Sequence, residues 1–435
     1  MDRVDPAPPY GPLITFQTPR LLLGPHATRE IGHELRRLGV GSTLIVTDAT
    51  VASTGLPERV RGLVEAAGVE AAIVDSVLVE PTDESCQALA DRLAGTRVDS
   101  FLAVGGGSSI DTAKVLNLLM SYPGARLHDY VNKPIGLGRA VPGPLKPLVA
   151  LPTTAGSGSE CTAMVALGIV ELKVKTGIAD RALTPVLAVV DPLNTVSAPA
   201  AVTAAGGYDV LTHACESYTT RAYDRRPGYP SPADRPIYIG ANPISDIWAE
   251  EALKLLGRYF VRAVLNPDDV EARTAMSHAA VYAGMGFGNS GTHIPHACAY
   301  PIAGLVTGYR PRDYAVAHDM VPHGEAVVVT APAAFEYTYD ACPERHLRAA
   351  ELLGASLAGV TTRTGGDVLP ATIAALIKAT DGPRGIATFG FDGKDIPALV
   401  EGAAKQTRLL SGCPRSAGPE QLTRIFEASM GDRAE

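Results

Sequence analysis

The 435-residue sequence predicts a doubly wound α/β domain over residues 1–194, followed by an all-α domain over residues 195–435. Three observations carry this. Short apolar runs alternate with helical patterns as far as residue 190, the β-α-β-α order of a sheet covered by helices on both faces. Strand signals stop near Asn194, where long Ala/Leu-rich helical stretches take over. A glycine turn, Gly105-Gly106-Gly107, joins one apolar run to the start of a helix, a junction whose free amides and dipole suit a phosphate.

Taken in order, residues 12–23 predict a short strand pair around Thr18-Pro19, and residues 28–38 a helix that Gly39 stops. Ser42–Asp48 is a compact apolar run ending in an acid and reads as a buried parallel strand. Residues 56–67 read as helix, 71–79 as strand, 84–93 as helix and 100–104 as strand, with a helix starting near Ser109. Residues 122–147, rich in Pro and Gly, form a long connection. Residues 148–151 and 186–190 add two strands, the last closed by Asp191-Pro192. Helices follow over 201–220, 244–265, 268–285, 344–359, 368–380 and 395–409, with Asn266-Pro267-Asp268 marking a stop and a fresh N-cap. Residues 221–243, rich in Arg, Tyr and Pro, read as an ordered loop. One reading leaves this loop on the surface; the other has Arg221, Arg225, Arg226 or Arg235 reach a cleft and hold a carboxylate.

Composition narrows the function classes. With 46% hydrophobic and 19% charged residues the chain is an ordinary globular protein, and its net charge of −8 argues against a nucleic-acid partner. No apolar run is long enough to span a bilayer, so no membrane partner is expected. The first residues carry early acids and prolines and no apolar core, which reads as neither a secretory signal nor an Arg-rich transit peptide. Six scattered cysteines without a C-x-x-C pair suit reduced thiols, so a cytoplasmic location is expected.

Asp209 and His213 stand four residues apart, so on a helix both side chains leave one face and offer one oxygen and one nitrogen to a divalent metal. His296 and His323 can complete a set of one carboxylate and three imidazoles, which suits zinc or ferrous iron better than magnesium or calcium. A capped, hydrogen-bonded structural pair is the other reading of the same spacing. Asp48, at a strand end, can bind a ribose hydroxyl and repel an extra phosphate, or simply cap a helix. The glycine turn is neither G-x-G-x-x-G nor a Walker A loop.

The blocks GYDVLTHACESY, GMGFGNSGTHIPHACAYPIAG, VPHGEAV and GGGSSIDTAK resemble those of the iron-containing (group III) alcohol dehydrogenase family. The resemblance implies the dehydroquinate synthase-like fold, an N-terminal nucleotide-binding domain and a metal-binding all-α domain. It assigns Asp209, His213, His296 and His323 to the catalytic metal, Fe2+ or Zn2+. Gly105, Gly106, Gly107 and Ser108 would cradle the pyrophosphate of NAD, with Asp111 and Lys114 nearby. Thr153, Thr154, Ser157 and Thr162 would line the cofactor, Lys175 would lie near the nicotinamide ribose, and Asp48 would favour NAD over NADP. Many members carry a second histidine four residues after the metal-binding one; here that position is Tyr300, so proton delivery falls to Tyr300 or His293. His278, in an Ala-rich helix, reads as a packed residue.

YVNKPIGLGR, the Pro-rich insert and NPDDVEAR look like the hydroxyacid-oxoacid transhydrogenase branch, whose members oxidise 4-hydroxybutyrate and pass the hydride to 2-oxoglutarate. The resemblance thus implies a small hydroxyacid or oxoacid substrate and a homodimer or higher homo-oligomer. An ordinary NAD-dependent alcohol dehydrogenase acting on a small aldehyde is the alternative.

Overall fold

Six parallel strands, in the order β1-β8-β5-β4-β2-β3, form the framework of the N-terminal half. They are β1 (Arg20–Leu23), β2 (Ser42–Asp48), β3 (Glu70–Val77), β4 (Ser100–Gly105), β5 (Leu148–Pro152) and β8 (Leu187–Val190). The computed structural model describes residues 10–431, so the reading of the first nine residues lies outside the described residues. β4 and β5 are buried along their whole length, as continuous apolar runs in a sheet covered on both faces must be. On one face pack α1 (Ile31–Arg37), α2 (Ala49–Ser53) and α3 (Leu56–Ala66) around Ile31, Leu35, Val60 and Val64. On the other pack α4 (Asp83–Arg92), α5 (Gly107–Ser121) and the short α6 (Leu127–Tyr130), with Leu89, Ile110, Leu116 and Leu127 in the core. This is the doubly wound arrangement the alternation predicts.

Two differences from the sequence reading stand out. Residues 12–19 form no strand; β1 alone forms there and pairs parallel with β8 at the sheet edge, not with its own neighbour. An antiparallel hairpin, β6 (Met164–Ile169) with β7 (Val174–Ala179), was not anticipated and stands apart from the main sheet.

No strand follows β8 among the described residues. The helices are α7 (Ala200–Thr219), α8 (Pro243–Leu265), α9 (Val270–Ser290), α10 (Ile294–Leu305), α11 (His323–Val328), α12 (Ala331–Thr338), α13 (Pro343–Leu352), α14 (Val368–Ala379), α15 (Ile396–Ala404), α16 (Thr407–Leu410) and α17 (Pro419–Ala428). α7, α8 and α9 form one core with α13 and α14 through Tyr208, Leu253, Phe260 and Ile373. α10, α11, α15 and α17 form a second through Ile302, Val327, Leu399 and Phe426. The fresh cap after Asn266 falls on Asp269, whose carboxylate accepts from Ala272 N at 2.9 Å, and not on Asp268. The stretch 395–409 breaks into α15 and α16, and the helix expected over 344–359 ends at Leu352. Residues 221–243 are irregular apart from two single 3-10 turns, as the proline content predicts.

Candidate metal centre and cofactor cleft

α7 carries Asp209 and His213 on one face, and α10 and α11 bring His296 and His323 against it. Asp209 Oδ1 lies 3.5 Å from His213 Nε2, 3.6 Å from His296 Nε2 and 3.9 Å from His323 Nε2. Ligands about 2.1 Å from a tetrahedral ion sit roughly 3.4 Å from one another, so this spacing fits a single ion. Ligand atoms of Asp209, His213 and His296 all lie within 4.8 Å of one another. Asp209 Oδ1 and His296 Nε2 are buried without a hydrogen-bond partner among the described residues, a costly arrangement for atoms that nothing coordinates. One carboxylate and three imidazoles suit Fe2+ or Zn2+.

Charge agrees with geometry at Asp209, His213 and His323; at His296 burial is outweighed by Glu216 and Asp209, which raise it to about 9, so that an ion there must displace a proton from Nε2. Burial pushes the Asp209 carboxyl up, but His213, His323 and His296 outweigh it and hold it well below the usual carboxylate range. Burial drives His213 down to about 3 and His323 down to about 4, which keeps both imidazoles neutral as ligands must be.

Local sequence explains the approach. A Cβ on Gly324 would meet the Ala205 carbonyl at 1.8 Å, so only glycine lets the start of α11 press His323 against α7. The His213 ring stacks on Phe287 at 3.7 Å, which fixes its plane. His296 is fixed by Glu216, a fully buried residue that the sequence reading missed. One Glu216 oxygen accepts a hydrogen bond from His296 Nδ1–H, and the other accepts from the backbone N–H of His293 at 2.7 Å and of His296 at 3.4 Å. Glu216 follows His213 by three positions and Asp209 by seven, so helical periodicity alone puts it on the ligand face.

From Asp209 and His323 a cleft of ≈ 320 Å³ runs to the carboxyl ends of β2, β4 and β5, a size typical of small-ligand sites at roughly 300–1,000 Å³. Its far end is the turn Gly106-Gly107-Ser108, where α5 begins with unpaired amides. A Cβ on Gly107 would meet Ser157 Oγ at 2.8 Å, so glycine is required for the turn to lie against the 153–157 loop. Asp48, Asp111, Thr153, Thr154, Ser157 and Lys175 also line the cleft. Asp48 Oδ1 caps α2 by accepting from Val51 N at 3.0 Å, and the residue also lines the cleft.

Family models described as "Iron-containing alcohol dehydrogenase" and "Fe-containing alcohol dehydrogenase family, C-terminal" match residues 18–192 and 237–430. The chain belongs to the iron-containing alcohol dehydrogenase family. It is 46% identical over 408 residues to the mitochondrial hydroxyacid-oxoacid transhydrogenase of Xenopus laevis, covering 94% of this chain and 88% of that protein. With the Homo sapiens protein of the same name it shares 45% over 410 residues, 94% of this chain and 87% of the other. Its fold is similar to a 1,3-propanediol oxidoreductase, with TM-score 0.84, 29% identity and coverage of 96% of this chain and all of that one. It is similar too to a sulfoacetaldehyde reductase from Bifidobacterium kashiwanohense in complex with NAD+, with TM-score 0.78, 25% identity and coverage of 96% and 99%. The chain is therefore an oxidoreductase.

Several residues of this dehydrogenase sit elsewhere than the sequence suggests. Gly105 and Thr162 do not line the cleft. Gly105 turns the chain at φ +158°, and the Thr162 carbonyl accepts from Lys114 at 3.1 Å. Buried Lys114 also donates to Ser159 O and Met164 O at 2.8 and 2.6 Å, so it pins the 159–164 segment. Asp111 accepts from Ser159 and from Ala166 N at 2.8 Å in the same network. His293 lies behind the metal centre, 3.1 Å from Thr219 Oγ1, and the structure does not bring it to the cleft. Tyr300 is buried with its ring 6.3 Å from that of His323. His278 is half-buried against Tyr282, as a packed residue should be.

None of the four insert arginines reaches the cleft. Arg221 Nε donates to Cys413 O at 3.3 Å, Arg226 to Tyr238 O at 2.6 Å and Arg235 to Tyr229 Oη at 2.8 Å, while Arg225 is exposed. Arg221, Arg226 and Arg235 thus hold the insert together and to the 411–413 segment. The cleft instead gains Glu80, paired with Lys175 and held at φ +60°, where Ser108 Oγ accepts its N–H at 3.0 Å. Tyr314, Val316 and Met320 of the 306–322 loop complete the wall.

Proposed function

We propose that the chain is an NAD-linked, metal-dependent hydroxyacid-oxoacid transhydrogenase that oxidises 4-hydroxybutyrate to succinate semialdehyde and reduces 2-oxoglutarate to 2-hydroxyglutarate. The observation that carries this is the convergence of Asp209 with His213 and His296, and of His323 beside them, at one end of a cleft whose other end is a glycine turn. The name of the 41–46% identical relatives supports the substrate class, and the NAD+ complex of the similar reductase supports the dinucleotide. Asp209, His213, His296 and His323 would hold Fe2+ or Zn2+, which would supply Lewis acidity toward a substrate oxygen, and bound NAD would supply the hydride acceptor.

The chain's residues do the rest. Glu216 keeps the His296 proton on Nδ1 and so leaves Nε2 free as a ligand. The turn at Gly106, Gly107 and Ser108, opposite Thr153, Thr154 and Ser157, receives the pyrophosphate, and the Asp48 carboxylate faces the ribose and repels an added phosphate. Lys175, neutralised by Glu80, orients the nicotinamide end without adding net charge. Burial pushes the Tyr300 hydroxyl up despite nearby Arg408, so it stays a neutral phenol able to donate a proton beside His323. His293, facing Thr219, positions the α10 start.

We place the domain division at 194/195, with the cleft between the halves. Six unpaired cysteines support a reducing compartment, the cytoplasm in our reading. Exposed Ile247 and Leu265 on α8 support a homo-oligomer, which light scattering will test. The function itself is tested by incubating the metal-loaded protein with 4-hydroxybutyrate and 2-oxoglutarate, with and without added NAD. Paired formation of succinate semialdehyde and 2-hydroxyglutarate supports it. NADH accumulation that ignores 2-oxoglutarate would make the chain an ordinary alcohol dehydrogenase.

A further inference from the structure

We propose that a small cationic recess beside the metal centre, built by Arg408, Lys133, Lys405 and Tyr300, receives the substrate carboxylate remote from the reacting carbon. The identity of the acid rests on the transhydrogenase reading; the recess itself does not. Arg408 lies on α16, directly after the break from α15, and its guanidinium sits over the Tyr238 ring at 5.0 Å. Its Nη1 is buried without a hydrogen-bond partner, and neither Arg408 nor Lys133 pairs with an acid among the described residues. A buried guanidinium N–H lacking an acceptor is costly, and a carboxylate is the ligand that best relieves it. Among the described residues Lys405 is engaged only by Glu401 at 2.8 Å, an exposed pair that contributes little.

The recess shares no lining residue with the cleft and is linked to its reacting end through Tyr300 and Gln406. Tyr300 forms one of its walls and stands 6.3 Å, ring to ring, from His323. Gln406 in its wall donates to the carbonyl of Lys175 at 3.4 Å, and Lys175 lines the cleft. Lys175 is the single Lys or Arg lining the cleft among the described residues, and Glu80 already neutralises it. The cleft therefore offers an acid no free cation, whereas the recess does. Its volume of ≈ 10 Å³ holds one water-sized group, and the exposed Lys133 and Lys405 must swing aside for a carboxylate.

The chemistry of the two half-reactions fits a single anchor. In 4-hydroxybutyrate and in 2-oxoglutarate the same number of carbon–carbon bonds separates the reacting carbon from the remote carboxylate. One guanidinium fixed in place would therefore serve both acids, and the insert contributes through Tyr238 beneath Arg408 and not through its own arginines.

Two arms test this. In the first, 2-oxoglutarate binding to the metal-loaded protein is measured by calorimetry for wild type, R408A, R408K and R225A. In the second, kcat/KM is compared for 4-hydroxybutyrate and butan-1-ol. The recess predicts that R408A weakens 2-oxoglutarate binding and acid-over-alcohol selectivity by about ten- to a hundredfold, the usual size of a lost charge-assisted contact. R408K should fall between, and R225A should match wild type. Unchanged 2-oxoglutarate affinity in R408A, or acid and alcohol falling together, overturns the recess and leaves the reaction standing. Wild type that oxidises butan-1-ol but not 4-hydroxybutyrate overturns the reaction, while the binding arm still decides the recess. If melting shows R408A to be unfolded, K133A and R408K carry the same binding test.

Discussion

Replacing Glu216 by Gln should detach the metal without unfolding the protein, for a reason that lies in one proton. Glu216 accepts three hydrogens: two from backbone N–H groups of His293 and His296, and one from His296 Nδ1. A glutamine keeps the backbone donors satisfied only if its carbonyl oxygen takes the first position, which turns its NH2 toward Nδ1. Two donors then face each other unless His296 moves its proton to Nε2, the atom that faces Asp209 Oδ1 at 3.6 Å. A protonated Nε2 cannot ligate. Loss of such an orienting partner costs about ten- to a hundredfold in metal affinity, or about 1.4–2.8 kcal/mol. Chelator competition with Zn2+ measures the affinity, and calorimetric melting of the metal-free protein measures the fold. E216A supplies the contrast, since it strands the buried N–H groups at about 1–3 kcal/mol each and should melt earlier. E216Q that binds Zn2+ as tightly as wild type would refute the tautomer argument.

Three further outcomes are expected. Asp48→Ser keeps the cap on Val51 but removes the charge, so discrimination against NADP should relax by about 1–3 kcal/mol with little change in melting; an unchanged preference would move Asp48 away from the ribose. Gly107→Ala places a Cβ 2.8 Å from Ser157 Oγ and must part the two loops, costing about 1–3 kcal/mol and weakening NAD binding; unaltered NAD affinity would remove the turn from the cofactor site. Burial holds His346 down at about 4 against 6.5, so the unfolded chain binds the extra proton between those values. Stability should therefore fall as pH drops from 6.5 toward 4, with His346 contributing up to about 3 kcal/mol beside the other buried histidines, and His346→Gln should make that slope shallower in pH-dependent denaturation.

What the sequence could convey depended on how local the physics was. The strands β2, β4 and β5 and the long helices α7, α8 and α9 are legible because apolar periodicity within one segment decides them. The candidate ligand pair Asp209 and His213 is legible for the same reason, being one helical turn apart. Glu216 was missed because a mid-helix Glu ordinarily faces solvent, and only the packing of α10 against α7 reveals it as buried. α10 was not anticipated, for it holds Pro295 in its first turn and Pro301 within it, residues that usually argue against helix. The insert arginines follow the ligand helix in sequence yet bind carbonyls and hydroxyls in the 411–413 segment and within the insert. Arg408, nearly two hundred residues from His213, is brought beside Tyr300 by tertiary folding alone.

Hydride tracing tests the central claim most directly. Metal-loaded protein is given 4-hydroxybutyrate deuterated at its carbinol carbon, together with 2-oxoglutarate and only trace NAD, and the 2-hydroxyglutarate formed is analysed by mass spectrometry. Direct transfer through the cofactor predicts one deuterium at the new carbinol carbon, matched by an equal amount of succinate semialdehyde. Unlabelled 2-hydroxyglutarate, or none at all while NADH accumulates, would contradict it.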